Sequence, residues 1–336
     1  MELKIHTHDL RLRHTFRIAH DVRDIQQTVI VELRDGGLVG YGEATANKYY
    51  GRPIESIIEA LEENRALIEA YDYQEPEAYW GTLKPAFGER NFGLCAIDVA
   101  IHDLYARKQG VSLQQLWGKK GTGPNTCYTI GIDTVEKMVA KMLEFPWPVY
   151  KVKLGTDEDL KIIRELRSHT DAIFRVDANC GWSAEETISN SKVLRELKVE
   201  FIEQPLPAED WEGMKSVHQE AVLPIVADES CILPSDVSCC HGYFHGINIK
   251  LMKCGGLTPA LGMIRQARQL GLQIMVGCMT ESSVGISAIG QLLPQIDYVD
   301  MDGFMLIDND PGKGPWAANG QIQVPDSPGT GVMYLG

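Results

Sequence analysis

Two lysines separated by a single residue, Lys151 and Lys153, lie in the largely apolar segment 148–154. Residues two apart on a β-strand point to the same face, so both ammonium groups are expected on one side of a strand. Each positive charge disfavours protonation of the other, which predicts a lysine with a depressed pKa. A lysine that is partly neutral near neutral pH can remove a proton from carbon. The pair therefore indicates general-base chemistry.

Three carboxylates, Asp177, Glu203 and Asp228, each follow a short apolar run, and Lys250 follows the next such run. Hard oxygen ligands with no histidine or thiolate among them suit Mg²⁺, with Mn²⁺ as the alternative. Three clustered carboxylates would repel one another without a cation, so we expect one metal ion per subunit.

Residues from about 125 onward alternate between short apolar strands and helices. Predicted strands end near residues 130, 153, 177, 203, 228, 250, 277 and 302, and predicted helices include 157–169, 183–197 and 258–270. Successive ends from 153 onward lie roughly 22 to 27 residues apart, about one βα unit, and eight such strands close a parallel barrel. An open doubly wound sheet would need a Gly-rich phosphate turn after an early strand, and no G-x-G-x-x-G is present. We therefore predict an α/β fold with a TIM-like barrel.

The first ~120 residues have strands followed by helices, which predicts an α+β unit. Strands are expected over Thr28–Leu33 and Val39–Glu43, and helices over Ile54–Ala70 and Phe92–Gln109.

Composition excludes several classes of protein. The 336 residues carry a net charge of −14 with no basic stripe, so we expect no nucleic-acid partner. No apolar stretch is long enough to span a bilayer, and the N-terminus lacks the apolar core of a signal peptide. The eight cysteines form no C-x-x-C pair, which is typical of free thiols in a reducing compartment. We expect a cytoplasmic protein with no membrane partner.

This set of side chains suits removal of a proton α to a carboxylate. A divalent ion on the carboxylate oxygens stabilises the charge that develops as the proton leaves. Lys153 and Lys250 flank the acidic strands on opposite sides of the ring, so removal by one lysine and delivery by the other predicts inversion at carbon.

The chain resembles the enolase superfamily, muconate-lactonising subgroup, over essentially its whole length. The motifs that carry the resemblance are Lys-x-Lys on the second barrel strand, Val-Asp-Ala-Asn on the third, Phe-Ile-Glu-Gln-Pro on the fourth, Ala-Asp-Glu-Ser on the fifth and Asn-Ile-Lys-Leu-Met-Lys-Cys-Gly-Gly on the sixth. The resemblance implies an enolase-like (β/α)7β barrel over 123–311. It also implies an α+β capping domain over 1–122, completed by 312–336.

By the same resemblance, Asp177, Glu203 and Asp228 bind Mg²⁺, and Lys153 and Lys250 are the acid/base pair. Lys151 tunes Lys153 and helps to hold the substrate carboxylate. The seventh strand end, residues 277–281, has no histidine, which disfavours the mandelate-racemase subgroup. A scaffold without activity is disfavoured because the three metal ligands and both acid/base lysines are present.

Asp300 and Asp302 at the eighth strand suit a cationic group such as a free α-ammonium. An Asp-x-Asp here is similar to the dipeptide epimerases, in which the pair binds the substrate's N-terminus. Arg23 is the candidate contact for the second side chain, with Arg17 and His20 as rivals from the same loop.

The resemblance thus implies an isomerase, a Mg²⁺-dependent L-Ala-D/L-Glu epimerase of murein-peptide recycling with a dipeptide substrate. Alternatives are epimerases of hydrophobic or cationic dipeptides, N-acylamino-acid racemase and o-succinylbenzoate synthase. The sequence leaves a homo-oligomer open.

Overall fold

The computed structural model describes residues 1–18 and 21–336. The chain begins with a three-stranded antiparallel sheet in the order β1-β2-β3, built from β1 (Glu2–Ile18), β2 (Asp21–Asp35) and β3 (Leu38–Thr45). The β1–β2 register shifts between Arg11 and Phe16. Both strands predicted in this region are confirmed as inner parts of β2 and β3. His20, one of the rival loop residues, lies outside the described residues.

Five helices follow this sheet: α1 (Ile54–Glu63), α2 (Arg65–Glu69), α3 (Pro76–Phe87), α4 (Asn91–Gln109) and α5 (Leu113–Leu116). The predicted helix over 92–109 is confirmed as α4, which ends at Gly110 in the left-handed conformation. The single helix predicted over 54–70 is wrong, because Asn64 breaks it with φ −102° and ψ 8°. The Asn64 side chain donates to the carbonyl of Ala60 at 2.8 Å, which offers the backbone an alternative to helix continuation.

Helix α4 packs directly on β3. A Cβ atom on Gly42 would overlap the carbonyl oxygen of Ala96, and one on Gly40 would overlap that of Ala100. Glycine at these two positions therefore allows the close approach of helix and sheet. Residues of the sheet, α4 and the following barrel belong to one continuous hydrophobic core.

Eight parallel strands in sequential order form the second part of the chain. They are β4 (Tyr128–Ile130), β5 (Val149–Lys153), β6 (Ile173–Asp177), β7 (Val199–Glu203), β8 (Ile225–Ala227), β9 (Gly246–Ile249), β10 (Gln273–Gly277) and β11 (Tyr298–Asp300). A parallel bridge between Thr126 and Val299 joins the first strand region to the last, so the sheet closes into a barrel. The predicted barrel fold is confirmed.

Helices occupy the connections between these strands. They are α6 (Val135–Glu144), α7 (Asp159–His169), α8 (Ala184–Glu196), α9 (Trp211–Glu220), α10 (Asp236–Cys240), α11 (Leu251–Cys254), α12 (Leu257–Gln269) and α13 (Ser283–Gly290), with short 3₁₀ turns at Leu293–Gln295 and Gly303–Met305. The three predicted helices correspond to α7, α8 and α12, with ends within two residues. Ser183 caps α8 in a capping box with Glu186.

The C-terminal segment contains β12 (Gly312–Lys313), β13 (Trp316–Ala318), β14 (Gln321–Gln323) and β15 (Met333–Tyr334). It returns to α4, where Thr330 N donates to Asp103 Oδ1 at 2.7 Å and Arg107 donates to the carbonyl of Val332 at 2.7 Å. The predicted division into 1–122 with 312–336 and 123–311 stays a prediction. Across the described residues, no helix combines the length and the apolar character needed to cross a membrane.

Candidate active site

Three carboxylates meet at the carboxyl end of the barrel. Asp177 ends β6, Glu203 ends β7 and Asp228 directly follows β8. The ladder pairs Asp177 with Glu203, so neighbouring parallel strands present their terminal side chains at one edge. All three are fully buried, and one ligand atom from each lies within 4.8 Å of the others.

These carboxylates are held in a pattern that suits a hard cation. One oxygen of each accepts a hydrogen bond from a protein donor: Asn179 N to Asp177 Oδ1 at 3.0 Å, Asn248 Nδ2 to Glu203 Oε1 at 2.8 Å and Lys253 Nζ to Asp228 Oδ1 at 2.6 Å. The other oxygen of each contacts a lysine ammonium: Lys153 to Asp177 at 2.6 Å, Lys151 to Glu203 at 2.7 Å and Lys250 to Asp228 at 2.6 Å. Each carboxylate thus has one oriented oxygen and one that already contacts a positive charge. Three buried carboxylates, each fixed through one of its oxygens, fit Mg²⁺ in number and chemistry.

Burial opposes ionisation of all three carboxylates, and their neighbours decide the outcome. Burial together with the charge of Asp177 raises the pKa of Glu203 to about 7. The pKa of Asp177 and the pKa of Asp228 are nevertheless lowered, because adjacent lysine ammonium groups overcome the effect of burial. The cluster is therefore stabilised as a mixed array of carboxylates and ammonium groups.

Lys151 and Lys153 both project from β5 into the barrel end, where Lys151 is surrounded by carboxylates. Lys151 Nζ contacts Asp177 at 3.1 Å, Glu203 at 2.7 Å and Asp300 at 2.9 Å. Burial lowers the pKa of Lys151, but the charges of these three carboxylates raise it well above the usual value. The expectation of a depressed pKa from two adjacent ammonium groups is wrong for Lys151, because carboxylates outnumber lysines around it.

Lys153 and Lys250 lie on opposite sides of the barrel. Lys153 ends β5 and Lys250 follows β9, four strands away in an eight-stranded closed sheet. Both line a cavity of about 290 Å³ at the strand ends, and about a tenth of each side chain is exposed. The cavity therefore has an amine on each of two facing walls, with the carboxylate strands β6 to β8 between them.

Asp300 and Asp302 form the wall opposite the carboxylate ring. Asp300 ends β11, whereas Asp302 lies beyond the strand end, yet both line the same cavity. Asp300 accepts hydrogen bonds from Lys151 at 2.9 Å and from the Cys127 thiol at 3.2 Å. Asp302 accepts one from Thr129 N at 2.6 Å. Burial and the charge of Asp300 raise the pKa of Asp302 to about 7.

Arg23, from β2, lines the cavity where the first sheet covers the barrel end. Its guanidinium donates to Thr280 Oγ1 at 3.2 Å, lies 3.4 Å from Asp21, and has its carbon 5.5 Å from the ring centre of Phe16. Its Nε proton is buried and has no acceptor among the described residues. Arg17, the other described rival, is not among the cavity-lining residues.

Two buried contacts of this site, from Lys253 and Cys127, were not predicted from the sequence. Lys253 donates to Asp228, and the Lys-x-x-Lys spacing after β9 was the available signal. Cys127, directly before β4, donates to Asp300. The only sequence signal for this contact was the alternation of inward-facing and outward-facing residues along that strand. Asn47 to Tyr50, from the segment after β3, also line the cavity, as expected for a loop that covers the barrel end.

Comparison with known proteins agrees with this architecture. Residues 1–118 match the N-terminal domain of mandelate racemase / muconate lactonizing enzyme, and residues 133–334 match the enolase C-terminal domain-like family. An L-Ala-D/L-amino acid epimerase of Flavobacterium johnsoniae is 51% identical over 336 residues, covering 100% of both chains. One from Maribacter sp. is 53% identical over 334 residues, covering 99% of each. The crystal structure of a dipeptide epimerase from Cytophaga hutchinsonii, complexed with Mg and D-Ala-L-Val, superposes with a TM-score of 0.94 at 26% identity, covering 99% of this chain and 95% of that one.

Proposed function

We propose that this chain, which belongs to the mandelate racemase / muconate lactonizing enzyme family of the enolase superfamily, is a Mg²⁺-dependent epimerase of dipeptides with an N-terminal L-alanine. The chain is an isomerase of the racemase and epimerase class, as its near relatives are. The observation that carries the proposal is the pair Asp300 and Asp302, which face the carboxylate ring across a cavity with a lysine on each side. That cavity offers separate receptors for a substrate's carboxylate and its ammonium group.

The metal ion would be held by Asp177, Glu203 and Asp228. When bound, Mg²⁺ supplies Lewis-acid stabilisation of the charge that develops on the substrate carboxylate. Lys151 contacts Asp177 and Glu203 of this ring. With these two carboxylates bound to the ion, its ammonium would have N–H groups free to donate to the substrate carboxylate and fix its plane. The α-carbon of the C-terminal residue then lies between the two facing lysines.

Inversion follows from the two amine-bearing walls. A neutral Lys153 Nζ removes the α-proton of one epimer, and the ammonium of Lys250 delivers a proton to the opposite face. The reverse reaction exchanges the two roles. The four-strand separation of β5 and β9 supports this scheme, since one flexible lysine could return the proton only to the face it came from.

Asp302 and Asp300 would bind the α-ammonium of the first residue. The pKa of Asp302 is raised because burial and the charge of Asp300 disfavour its ionised form. A substrate ammonium beside it would stabilise the ionised carboxylate. Muconates, succinylbenzoate-type substrates and N-acylamino acids lack this cation, which favours dipeptides among the reactions of the family.

Arg23 is the proposed contact for an acidic second side chain. Within the part of the chain that the structure describes, its buried Nε proton has no acceptor, and a side-chain carboxylate would complete the guanidinium's hydrogen bonds. This favours glutamate and hence L-Ala-D/L-Glu, a substrate consistent with murein-peptide recycling in the cytoplasm. The second candidate function is an epimerase that accepts L-Ala dipeptides with several kinds of C-terminal residue. Asp21 already pairs with part of the Arg23 charge, and Phe16 adds an apolar surface to the cavity.

Exchange of Hα in D₂O tests the proposal. The purified protein with Mg²⁺ and L-Ala-D-Glu should incorporate deuterium at the second α-carbon and form the L,L epimer, as followed by NMR. L-Ala-L-Gln and L-Ala-L-Met, similar in size to the glutamate substrate but neutral, measure the breadth of the side-chain site. Absence of exchange with every L-Ala dipeptide would refute the proposed function, whereas exchange of the neutral pair alone would reassign the side-chain preference.

A further inference from the structure

Lys253 is a buried lysine that the proposed proton transfer does not use. It lies in α11, three residues after Lys250, and its side chain is fully enclosed. Lys250 lines the catalytic cavity, whereas Lys253 is not among the lining residues. The two lysines flank the same carboxylate, because Lys250 contacts Asp228 Oδ2 at 2.6 Å and Lys253 contacts Oδ1 at 2.6 Å.

The ammonium of Lys253 is fully satisfied by the protein. Its acceptors are Asp228 Oδ1 at 2.6 Å, the Asp228 carbonyl at 2.6 Å, the Cys231 carbonyl at 2.9 Å and the Asn248 carbonyl at 3.2 Å. An ammonium has three protons, so no donor remains for substrate. Burial of a charged lysine is costly unless it is paired and hydrogen-bonded. Its surroundings therefore favour a group that stays in place while its neighbour reacts.

These contacts fix both the side chain and the main chain of Asp228. Asp228 has no strand partner of its own, because β8 ends at Ala227. Lys253 ties the Asp228 carbonyl and carboxylate to the end of β9 and to the turn at Cys231. Asp177 and Glu203, in contrast, end strands whose ladder pairs them with each other. Gln204 Oε1 accepts from the Asp228 N–H at 2.9 Å, and Lys253 is the side chain that holds both the carbonyl and Oδ1 of this third ring carboxylate.

We propose that Lys253 is the positioning residue for the metal ligand Asp228: it holds Oδ1 so that Oδ2 is presented to the ion. The proposal rests on the metal site of the proposed function but not on the substrate or on the proton transfer. Outer-shell partners of metal ligands contribute about 10- to 100-fold to metal affinity. Lys253→Met, which keeps the length of the side chain and removes the charge and the donors, should therefore weaken Mg²⁺ binding by about that factor.

Calorimetric titration with Mg²⁺ alone tests this, with no substrate present. The matched control is Arg175→Met, which also removes a buried cation from the barrel, one that pairs with Glu200 at 2.8 Å and contacts no ring carboxylate. The control should leave the Mg²⁺ affinity of the folded protein within about twofold of the native value. In an Asp228→Asn background, Lys253→Met should cause little further loss, since the two residues act as a unit.

Native-like Mg²⁺ affinity in folded Lys253→Met would overturn the proposal, as would equal and additive losses in the Asp228→Asn background. Should Lys253→Met not fold, Lys253→Gln serves the same test, because its side chain is one bond shorter, is uncharged and cannot hold Asp228 Oδ1 together with the carbonyls that Lys253 contacts. Mg²⁺ binding by Lys253→Gln within about twofold of native would overturn the proposal equally. If native protein binds Mg²⁺ but exchanges no Hα, the proposed function fails while this inference stands.

Discussion

Replacing Asp302 by asparagine should separate recognition of the substrate's ammonium group from proton transfer. The carboxylate is buried and accepts one backbone hydrogen bond, from Thr129, and its pKa is raised to about 7. Against an ordinary value near 4, such a shift corresponds to about 4 kcal/mol of free energy that opposes ionisation in the free enzyme. A bound ammonium recovers much of this, and truncating one partner of a buried charge pair costs about 2 to 5 kcal/mol. The kcat/KM for L-Ala-Glu should therefore fall by roughly two to three orders of magnitude.

The pH dependence gives a second readout of the same residue. Ammonium binding needs ionised Asp302, so kcat/KM of the native enzyme should rise as pH increases through about 7, and Asp302→Asn should lose this rise. The sign for stability is opposite. The folded-state pKa is raised, so the folded protein holds the Asp302 proton more tightly than the unfolded chain between about pH 4 and pH 7. The free energy of unfolding should fall with increasing pH in that window, less so in the variant.

Hα exchange measured for two substrates decides between these effects and general damage. L-Ala-L-Glu carries the α-ammonium, and N-acetyl-L-Ala-L-Glu lacks it. Asp302→Asn should lose activity on L-Ala-L-Glu. Its proportional loss on N-acetyl-L-Ala-L-Glu should be much smaller. An equal proportional loss on both substrates, or a kcat/KM within threefold of native on the first, would refute the ammonium role.

Further variants test the remaining groups. Lys153→Ala and Lys250→Ala should each reduce epimerisation by at least about 10³-fold. Each variant should still exchange Hα with one epimer, because one wall of the cavity keeps its amine. Exchange with both epimers in either variant would contradict the scheme of two facing bases. Arg23→Gln should lower kcat/KM for L-Ala-L-Glu by about 10- to 100-fold, since a hydrogen bond to a charged group contributes about 1.5 to 3 kcal/mol. The kcat/KM for L-Ala-L-Gln should fall by less than threefold. Equal losses on the two substrates would exclude a charged contact between Arg23 and the glutamate side chain. Glu43→Gln should lower the free energy of unfolding by about 1 to 3 kcal/mol in urea denaturation. Both Glu43 oxygens accept hydrogen bonds from Thr28, Ser282 and Gly285, and an amide nitrogen would face donors. Unchanged stability would show that this contact does not stabilise the packing of β3 against α13.

The strand-end ring could be predicted because a parallel barrel imposes a strict relation between sequence and position. Each βα unit has a similar length, and each strand presents its last residues at the same edge. Asp177 and Glu203 therefore come together as the ladder dictates. The facing arrangement of Lys153 and Lys250 follows from the same count of strands.

Features set by side-chain reach and local backbone geometry could not be predicted in this way. Lys151 extends from β5 to contact Glu203 and Asp300, which lie on strands opposite each other, and the carboxylates reverse the expected direction of its pKa shift. The side chain of Asn64 donates to a helical carbonyl, that of Ala60, and the helix ends there. The hydrophobic periodicity of the segment does not predict this break, because it carries no information on side-chain hydrogen bonds to the backbone. Asp302 lines the predicted site, but it does so from beyond the end of β11 at Asp300 and not as part of one strand face with Asp300.

The division of labour between the two parts of the chain follows from the same difference. The residues proposed to act on the α-carbon, Lys153 and Lys250, stand at or next to strand ends, where the closed sheet limits their displacement. The candidate for side-chain recognition, Arg23, comes instead from the covering sheet and reaches the barrel through one hydrogen bond to Thr280. A change in the covering segments can thus alter the contact to the second side chain without moving the lysines or the carboxylate ring. Substrate range should therefore vary more readily than reaction type. Reaction type can be predicted more directly from the sequence, because the side chains at the strand ends have fewer possible positions than those of the covering segments.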